Sequence, residues 1–111
     1  MTHGELIDAI ILEASNRNLA RLFRNPSGIA KHRKDGKTWV VPYGVGPKGG
    51  GGHDLIGWRM RDGKFVSIDA KVGRDELSDA QIKWGKWVMA GNGIAGEARS
   101  VEQAMEMIEN G

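Results

Sequence analysis

Cysteine is absent from this 111-residue chain, which excludes a disulfide framework and thiolate metal sites and fits a reducing compartment. No apolar run reaches the ~18 residues that crossing a bilayer requires, so no membrane association is expected. The N-terminus, MTHGELIDAI, lacks the basic-then-apolar layout of a secretory signal. These absences point to a cytoplasmic protein. Acidic residues are scarce in one stretch. From Arg17 to Lys48 there are eight basic side chains and one acid, Asp35, so the segment carries +7 and the remainder of the chain −5. A block of this kind is the electrostatic footprint of a polyanion-binding protein, although a solvated basic loop would have the same composition.

What is present suits one folded domain over residues 1–111. Hydrophobic residues are 40% and charged residues 27% of the chain, within the range of globular domains. Leu6, Ile7, Ile10, Ile11 and Ala14 recur at helical spacing and predict an amphipathic helix over about residues 3–16, with Thr2 and Glu5 spaced for a capping box. Leu19 to Arg24 reads as a short strand stopped by Asn25-Pro26. Residues 26–37 are polar and basic without a period, and Thr38 to Tyr43 reads as a strand.

Gly44 to Gly52 holds six glycines in nine residues and must be a loop, either a linker or one that lets backbone approach a ligand closely. His53–Met60 and Lys64–Val72 are the best strand candidates, with Asp62-Gly63 as the hairpin signal between them. Ser78 and Gln81 form an S-x-x-Q box that opens a second helix, for which Ile82, Trp84, Trp87 and Val88 supply apolar surface. Ile94–Ala98 is a short strand, and Ser100 with Gln103 opens the last helix. The expected fold is α/β in the order αβββαβα, a mixed central sheet of about four strands flanked by helices.

The hairpin carries the chemistry. In Phe65–Val72 alternate side chains share a face; Val66, Ile68, Ala70 and Val72 form an apolar one, and Asp69 and Lys71 share the other. A two-residue turn at Asp62-Gly63 would pair Arg61 with Lys64 and set Asp54 opposite Lys71 and diagonal to Asp69. Opposite residues have Cβ atoms ~5 Å apart and diagonal ones ~7–8 Å, close enough for two carboxylates to share one hard cation. Carboxylates holding Mg²⁺ or Mn²⁺, with a lysine beside them, suit phosphodiester hydrolysis. Each residue taken singly is better explained otherwise, Asp69 and Lys71 as the solvent face of an edge strand and Asp54 as a turn residue; together with the glycine run and the basic block they favour the site.

The pattern Gly52-His53-Asp54-Leu55-Ile56-Gly57 followed by Val66-Ser67-Ile68-Asp69-Ala70-Lys71 resembles the PD-(D/E)XK nuclease superfamily. More closely, the chain resembles the VRR-NUC family, the virus-type replication-repair nucleases. Glu5, Arg21–Asn25, the glycine-rich run into Asp54, Asp69–Arg74, Leu77-Ser78, Gln81 and Ala98–Ala104 carry the likeness. His53 stands where the superfamily often has proline, and Asp69 where this family usually has glutamate.

The resemblance implies a restriction-endonuclease-like fold and a Mg²⁺- or Mn²⁺-dependent DNA endonuclease that leaves 5′-phosphate ends. Asp54 and Asp69 would be metal ligands, with the Ala70 carbonyl a third. Lys71 would be the catalytic lysine, Gln81 would reach the site from the second helix, and Glu5 would add an acid from the first. Gln81 and Glu5 also have capping to explain them, and Glu13 is the alternative acid on the first helix. Stand-alone members are viral or prophage proteins that act as homodimers on branched DNA such as Holliday junctions, which places this one in a bacterial cytoplasm.

Arg24, Asn25, Lys31, Arg33, Lys34 and Lys48 are the candidates for DNA contact. Trp39, Trp58, Trp84 and Trp87 are expected mainly in core or interface rather than stacked on bases. His3, His32 and His53 show no spacing for a zinc site, and His53 reads as a loop residue. A non-catalytic DNA-binding module and a small adaptor protein are the rival readings.

Overall fold

The computed structural model describes residues 1–47 and 51–111. Helix α1 (His3–Asn16) leads into β1 (Ala20–Arg24), followed by β2 (Gly28–Lys34), β3 (Lys37–Tyr43), β4 (Leu55–Arg59) and β5 (Phe65–Ala70). Helix α2 (Asp79–Ala90), strand β6 (Ile94–Ala98) and helix α3 (Val101–Asn110) complete the chain. The central sheet is mixed, in the order β1-β4-β5-β6. Strands β1, β4 and β5 run antiparallel, and β5 pairs with β6 in parallel. Its four strands and the three helices run αβββαβα, the order expected, but the expected strand Thr38–Tyr43 is not among them, since it forms β3. Strands β2 and β3 stand outside it as a separate two-stranded hairpin.

Helices α1 and α3 cover one face of the sheet. Leu6, Ile7, Ile10 and Ala14 of α1 and Ala104, Met105 and Ile108 of α3 enclose Leu22, Leu55, Val66, Ile68 and Ala70. Burying a side chain of this size contributes about 1.5–3 kcal/mol, so this layer is the main source of stability. Helix α2 lies on the other face, where Gly85 comes against His53 and Ala95, and Trp84 hydrogen-bonds Ser67. Its outer side carries Ile82 and Trp87, which are exposed rather than packed inward. At Gly57 a Cβ would stand 1.8 Å from the Arg21 carbonyl, so only glycine allows β1 to lie this close to β4.

Two features depart from the sequence reading. Residues 26–37, expected as an irregular loop, contain β2. Its hairpin turns at Asp35-Gly36, both at positive φ (53° and 74°), with Lys34 paired to Lys37. That is a two-residue turn of the type Asp-Gly favours. The hairpin escaped detection because nearly all of it is exposed on both faces, so no alternation is imposed on it.

The second departure is the register of β4 and β5. Leu55 pairs with Ile68 and Trp58 with Phe65, two residues away from the expected pairing. The Arg59 amide donates to the Lys64 carbonyl at 2.8 Å, so Met60–Gly63 form a four-residue loop. A shift of two preserves which face each side chain occupies. It sets Asp54 opposite Asp69 instead of opposite Lys71. Among the described residues no helix is long and apolar enough to cross a membrane.

Candidate active site

The site forms where β4 stops and β5 continues. Beyond Leu55 no strand lies beside Ala70, so its amide and carbonyl on that side need other partners. The Asp54 carboxylate takes the amide, Ala70 N–H donating to Oδ2 at 3.0 Å. The His3 ring takes the carbonyl, with Nε2 at 2.9 Å from Ala70 O and 3.0 Å from Asp54 Oδ2. The Asp54 amide donates to Asp69 Oδ1 at 3.1 Å. Asp54 and Asp69 are thereby locked edge to edge.

Asp69 is fully buried. Lys71 Nζ stands 2.8 Å from its Oδ2, yet that oxygen accepts no well-directed hydrogen bond. Burial raises the Asp69 carboxyl above its ordinary value; the Lys71 ammonium opposes this, and the neighbouring Asp54 charge adds to it. The ammonium already answers the charge on this oxygen, and the lack of a directed hydrogen bond leaves it able to take a divalent cation as well.

Among the described residues no three His, Asp or Glu side chains gather as a cluster able to hold an ion by themselves. The oxygen donors at hand are the Asp54 and Asp69 carboxylates and one backbone carbonyl, Ala70. All are hard oxygens, and they fit Mg²⁺ or Mn²⁺ rather than a thiophilic metal.

Gln81 does both things foreseen for it. Its Oε1 accepts from the Ser78 amide at 2.9 Å, closing the helix cap, and its Nε2 points to Asp69 Oδ1 at a long 3.4 Å. Glu5 does not join the site. Its carboxylate accepts from the Thr2 amide at 2.9 Å, and this bond holds it below the usual carboxylate range. Glu13 pairs with Arg17 at 2.8 Å and is likewise elsewhere. The α1 residue that reaches the centre is His3. Sequence spacing gives no sign of it, because its partners are 51 and 67 residues distant.

His53 lies in the loop ahead of β4, as expected, but it is a buried strut, 1% exposed. Its Nε2 lies 3.0 Å from the Gln81 carbonyl, and its Nδ1 lies 3.0 Å from Ser67 Oγ and 3.1 Å from Ser67 O. Trp84 Nε1 donates to the same hydroxyl at 2.9 Å. With its proton on Nε2, the ring donates to Gln81 and accepts from Ser67, so α2 is tied to β5 beside Asp69.

Asn25 is a second internal clamp and not a DNA contact. It is 7% exposed, and its side-chain amide donates to Val45 O (2.7 Å) and His53 O (3.0 Å) while its Oδ1 accepts from the Val45 amide (2.9 Å). Its own amide donates to Asp54 O at 2.7 Å. The glycine-rich loop closes against this clamp: a Cβ on Gly52 would stand 2.1 Å from Val45 O. The close approach foreseen for the loop is therefore, at its described flanks, an approach to its own chain. It delivers Asp54 to the start of β4.

Arg24 lines a cleft of about 190 Å³ together with His3, Ile7, Asn25, Pro26 and Asp54, and pairs with Asp8 at 2.7 Å. Lys31, Arg33 and Lys34 project from β2 on the exposed hairpin. Lys48 lies outside the described residues. Three tryptophans are on the surface and not in the core. Trp39 stacks on His32 in the hairpin with centroids 5.6 Å apart, Trp58 packs on Phe23 at 5.7 Å, and Trp87 lies under the Lys83 ammonium at 5.2 Å. No protein-family model matches the chain, and a search of curated proteins finds no match to it.

Proposed function

We propose that this protein is a metal-dependent DNA endonuclease that hydrolyses phosphodiester bonds. The observation that carries this reading is the convergence of Asp54, Asp69 and Lys71 at the open end of the β4–β5 pair. The two carboxylates are joined through the Asp54 amide, and the ammonium is 2.8 Å from Asp69. The resemblance to the VRR-NUC family agrees with it and assigns those three residues the same roles.

Asp54, Asp69 and the Ala70 carbonyl would hold Mg²⁺ or Mn²⁺, which supplies a Lewis acid for the phosphate and lowers the pKa of a bound water. The remaining work falls to the chain. Lys71 orients the attacking water or offsets charge on the phosphorane-like transition state. Gln81 donates toward Asp69 Oδ1 and leaves Oδ2 directed elsewhere. His53 and Asn25 hold the two strand ends in register, so the carboxylates do not have to be organised when substrate arrives. Arg24, on the rim of the cleft beside Asp54, is placed to meet a phosphate.

The exposed β2–β3 hairpin, with Lys31, Arg33, Lys34 and Lys37, extends this basic surface beyond the central sheet. Such an arm suits DNA whose strands diverge, in keeping with branched substrates. A homodimer acting on a four-way junction is the finer form of the proposal: two sites related by a twofold axis match the symmetry of the junction. Sedimentation showing only monomer at working concentration removes the dimer and leaves the nuclease standing.

The test is incubation of the purified protein with labelled four-way junctions, flaps and plain duplex, in Mg²⁺, in Mn²⁺ and in chelator. Metal-dependent cutting that is lost in Asp54→Asn supports the reading. Binding of DNA without cutting under every condition replaces it with a non-catalytic DNA-binding module.

A further inference from the structure

We propose that His3 is itself a ligand of the metal centre, a nitrogen donor that shifts the site's preference from Mg²⁺ toward first-row transition ions. This rests on the metal-centre reading above and adds to it a residue that the resemblance does not supply.

The position of His3 is fixed before any ion arrives. Thr2 caps α1, its hydroxyl accepting from the Glu5 amide while Glu5 returns a bond to the Thr2 amide. His3 is therefore the first residue of a helix whose start is held on both sides. From there Nε2 stands 3.0 Å from Asp54 Oδ2 and 2.9 Å from Ala70 O, two of the oxygens assigned to the ion. Without metal, a single Nε2–H is shared between the two acceptors, and a donor hydrogen fills the place that a cation's charge would take.

The spacing also suits direct ligation. Adjacent ligands of an octahedral ion with bonds of ~2.1 Å are ~3.0 Å apart. Both separations from Nε2 match that edge, so Nε2 could ligate an ion beside either oxygen, although His3, Asp54 and Asp69 do not stand ready-gathered around one point among the described residues. As a ligand the ring would carry its proton on Nδ1 and present the Nε2 lone pair to the ion. His3 is part exposed, and the cleft it shares with Asp54 opens a route for the ion and its waters. Imidazole adds affinity along the order from Mn²⁺ through Co²⁺ to Ni²⁺ and contributes little for Mg²⁺, which favours oxygen.

The experiment is calorimetric titration of the intact protein, His3→Ala and Asp54→Asn with Mg²⁺, Mn²⁺ and Co²⁺, with ¹⁴N electron spin echo modulation of bound Mn²⁺ as the second readout. Loss of about tenfold or more in Mn²⁺ and Co²⁺ affinity in His3→Ala, with Mg²⁺ changed less than about threefold, is the expected result. The ¹⁴N modulation should be present in the wild type and gone in the variant. Unchanged Mn²⁺ affinity, or equal loss for all three ions, overturns the proposal. Tighter binding of every ion in His3→Ala also overturns it and makes His3 a plug instead. Should Asp54→Asn lose the ion while His3→Ala keeps it, only the His3 assignment falls. A wild-type protein that binds no divalent ion removes both this assignment and the metal centre. Unchanged circular dichroism in His3→Ala separates these outcomes from misfolding.

Discussion

Lys71 Nζ and Asp69 Oδ2 are 2.8 Å apart at a position where the carboxylate is fully enclosed and the ammonium reaches the surface. Charge is thus carried into the protein by one residue and answered by a neighbour on the same strand face. The folded state holds the Asp69 carboxyl above its ordinary value, so the sign is unfavourable: stability falls as pH rises from the unfolded value toward the raised one, and stays lower above it. Asp69→Asn is expected to remove that fall, so that the stability of the metal-free variant relative to the wild type rises from pH 3.5 to pH 7, while cutting is abolished. The gain should shrink as pH is lowered toward the ordinary carboxylate value. Thermal melts from pH 3.5 to 8 check it; a difference between variant and wild type that does not change with pH refutes it.

Lys71→Ala tests the chemistry, with some loss of stability expected because the buried Asp69 carboxylate loses the ammonium beside it; unchanged circular dichroism shows that the variant is still folded. The turnover rate should fall by about 10²-fold or more, as when one group stabilising a transition state is removed, and affinity for DNA should change little. Single-turnover cleavage and fluorescence anisotropy with the same labelled substrate separate the two effects.

His53→Ala removes a buried ring and leaves the Gln81 carbonyl and the Ser67 hydroxyl short of a partner. A loss of about 2–4 kcal/mol is expected in urea unfolding, from the vacated volume together with the unmet hydrogen bonds. His53→Gln, which keeps a polar end, should recover part of it. A small effect would mean that α2 is held against β5 by other contacts.

Asp62 contributes to stability with the opposite sign. The Arg59 guanidinium binds it at 2.6 Å, and Arg59 also donates to the Ile108 and Gly111 carbonyls at the end of α3. That pairing holds the Asp62 carboxyl well below its ordinary value. Its contribution is complete above the unfolded-state value and is lost as pH falls through that value toward the depressed one. Asp62→Asn should therefore lower stability at neutral pH and flatten the acid limb of the stability curve, measured by urea unfolding between pH 3 and 7.

Replacing Lys31, Arg33 and Lys34 together with glutamine should weaken DNA binding and reduce its salt dependence. The slope of log affinity against log salt falls by about 0.9 for each duplex phosphate that the protein no longer neutralises. The fold should be untouched, because β2 and β3 pack chiefly on each other. An unchanged slope would exclude the hairpin from the DNA interface.

The elements of the central sheet are legible in the sequence because each is amphipathic or capped. Thr2-x-x-Glu5 and Ser78-x-x-Gln81 mark the starts of α1 and α2, and Val66, Ile68 and Ala70 mark the buried face of β5. The nearness of Asp54 to Asp69 survives a miscounted turn. Asp62-Gly63 signals a two-residue turn, but Asp62 binds Arg59 and the loop is longer, and an error of two leaves both carboxylates on one side of the sheet. The true two-residue turn, Asp35-Gly36, is hidden in a hairpin with no buried face. Asn25 and His53 are misread because a polar residue beside proline or glycine resembles surface until its partners are known. Those partners, Val45, Ser67 and Gln81, are brought near only by the folded chain. Glu5 and His3 differ in the same way: the capping pattern is local and visible, whereas the contact with Asp54 spans half the protein.

The hairpin that stands outside the sheet has a thermodynamic consequence. Amides between Gly28 and Tyr43 are tied to one another and cover nothing of the main core. Their opening exposes little beyond themselves and need not await cooperative melting of the molecule. Deuterium should enter this ladder long before it enters β5, and a protease should nick near Asp35-Gly36 while the remainder stays folded. A limb that frays independently can reshape around whatever it grips without loosening the carboxylates behind it.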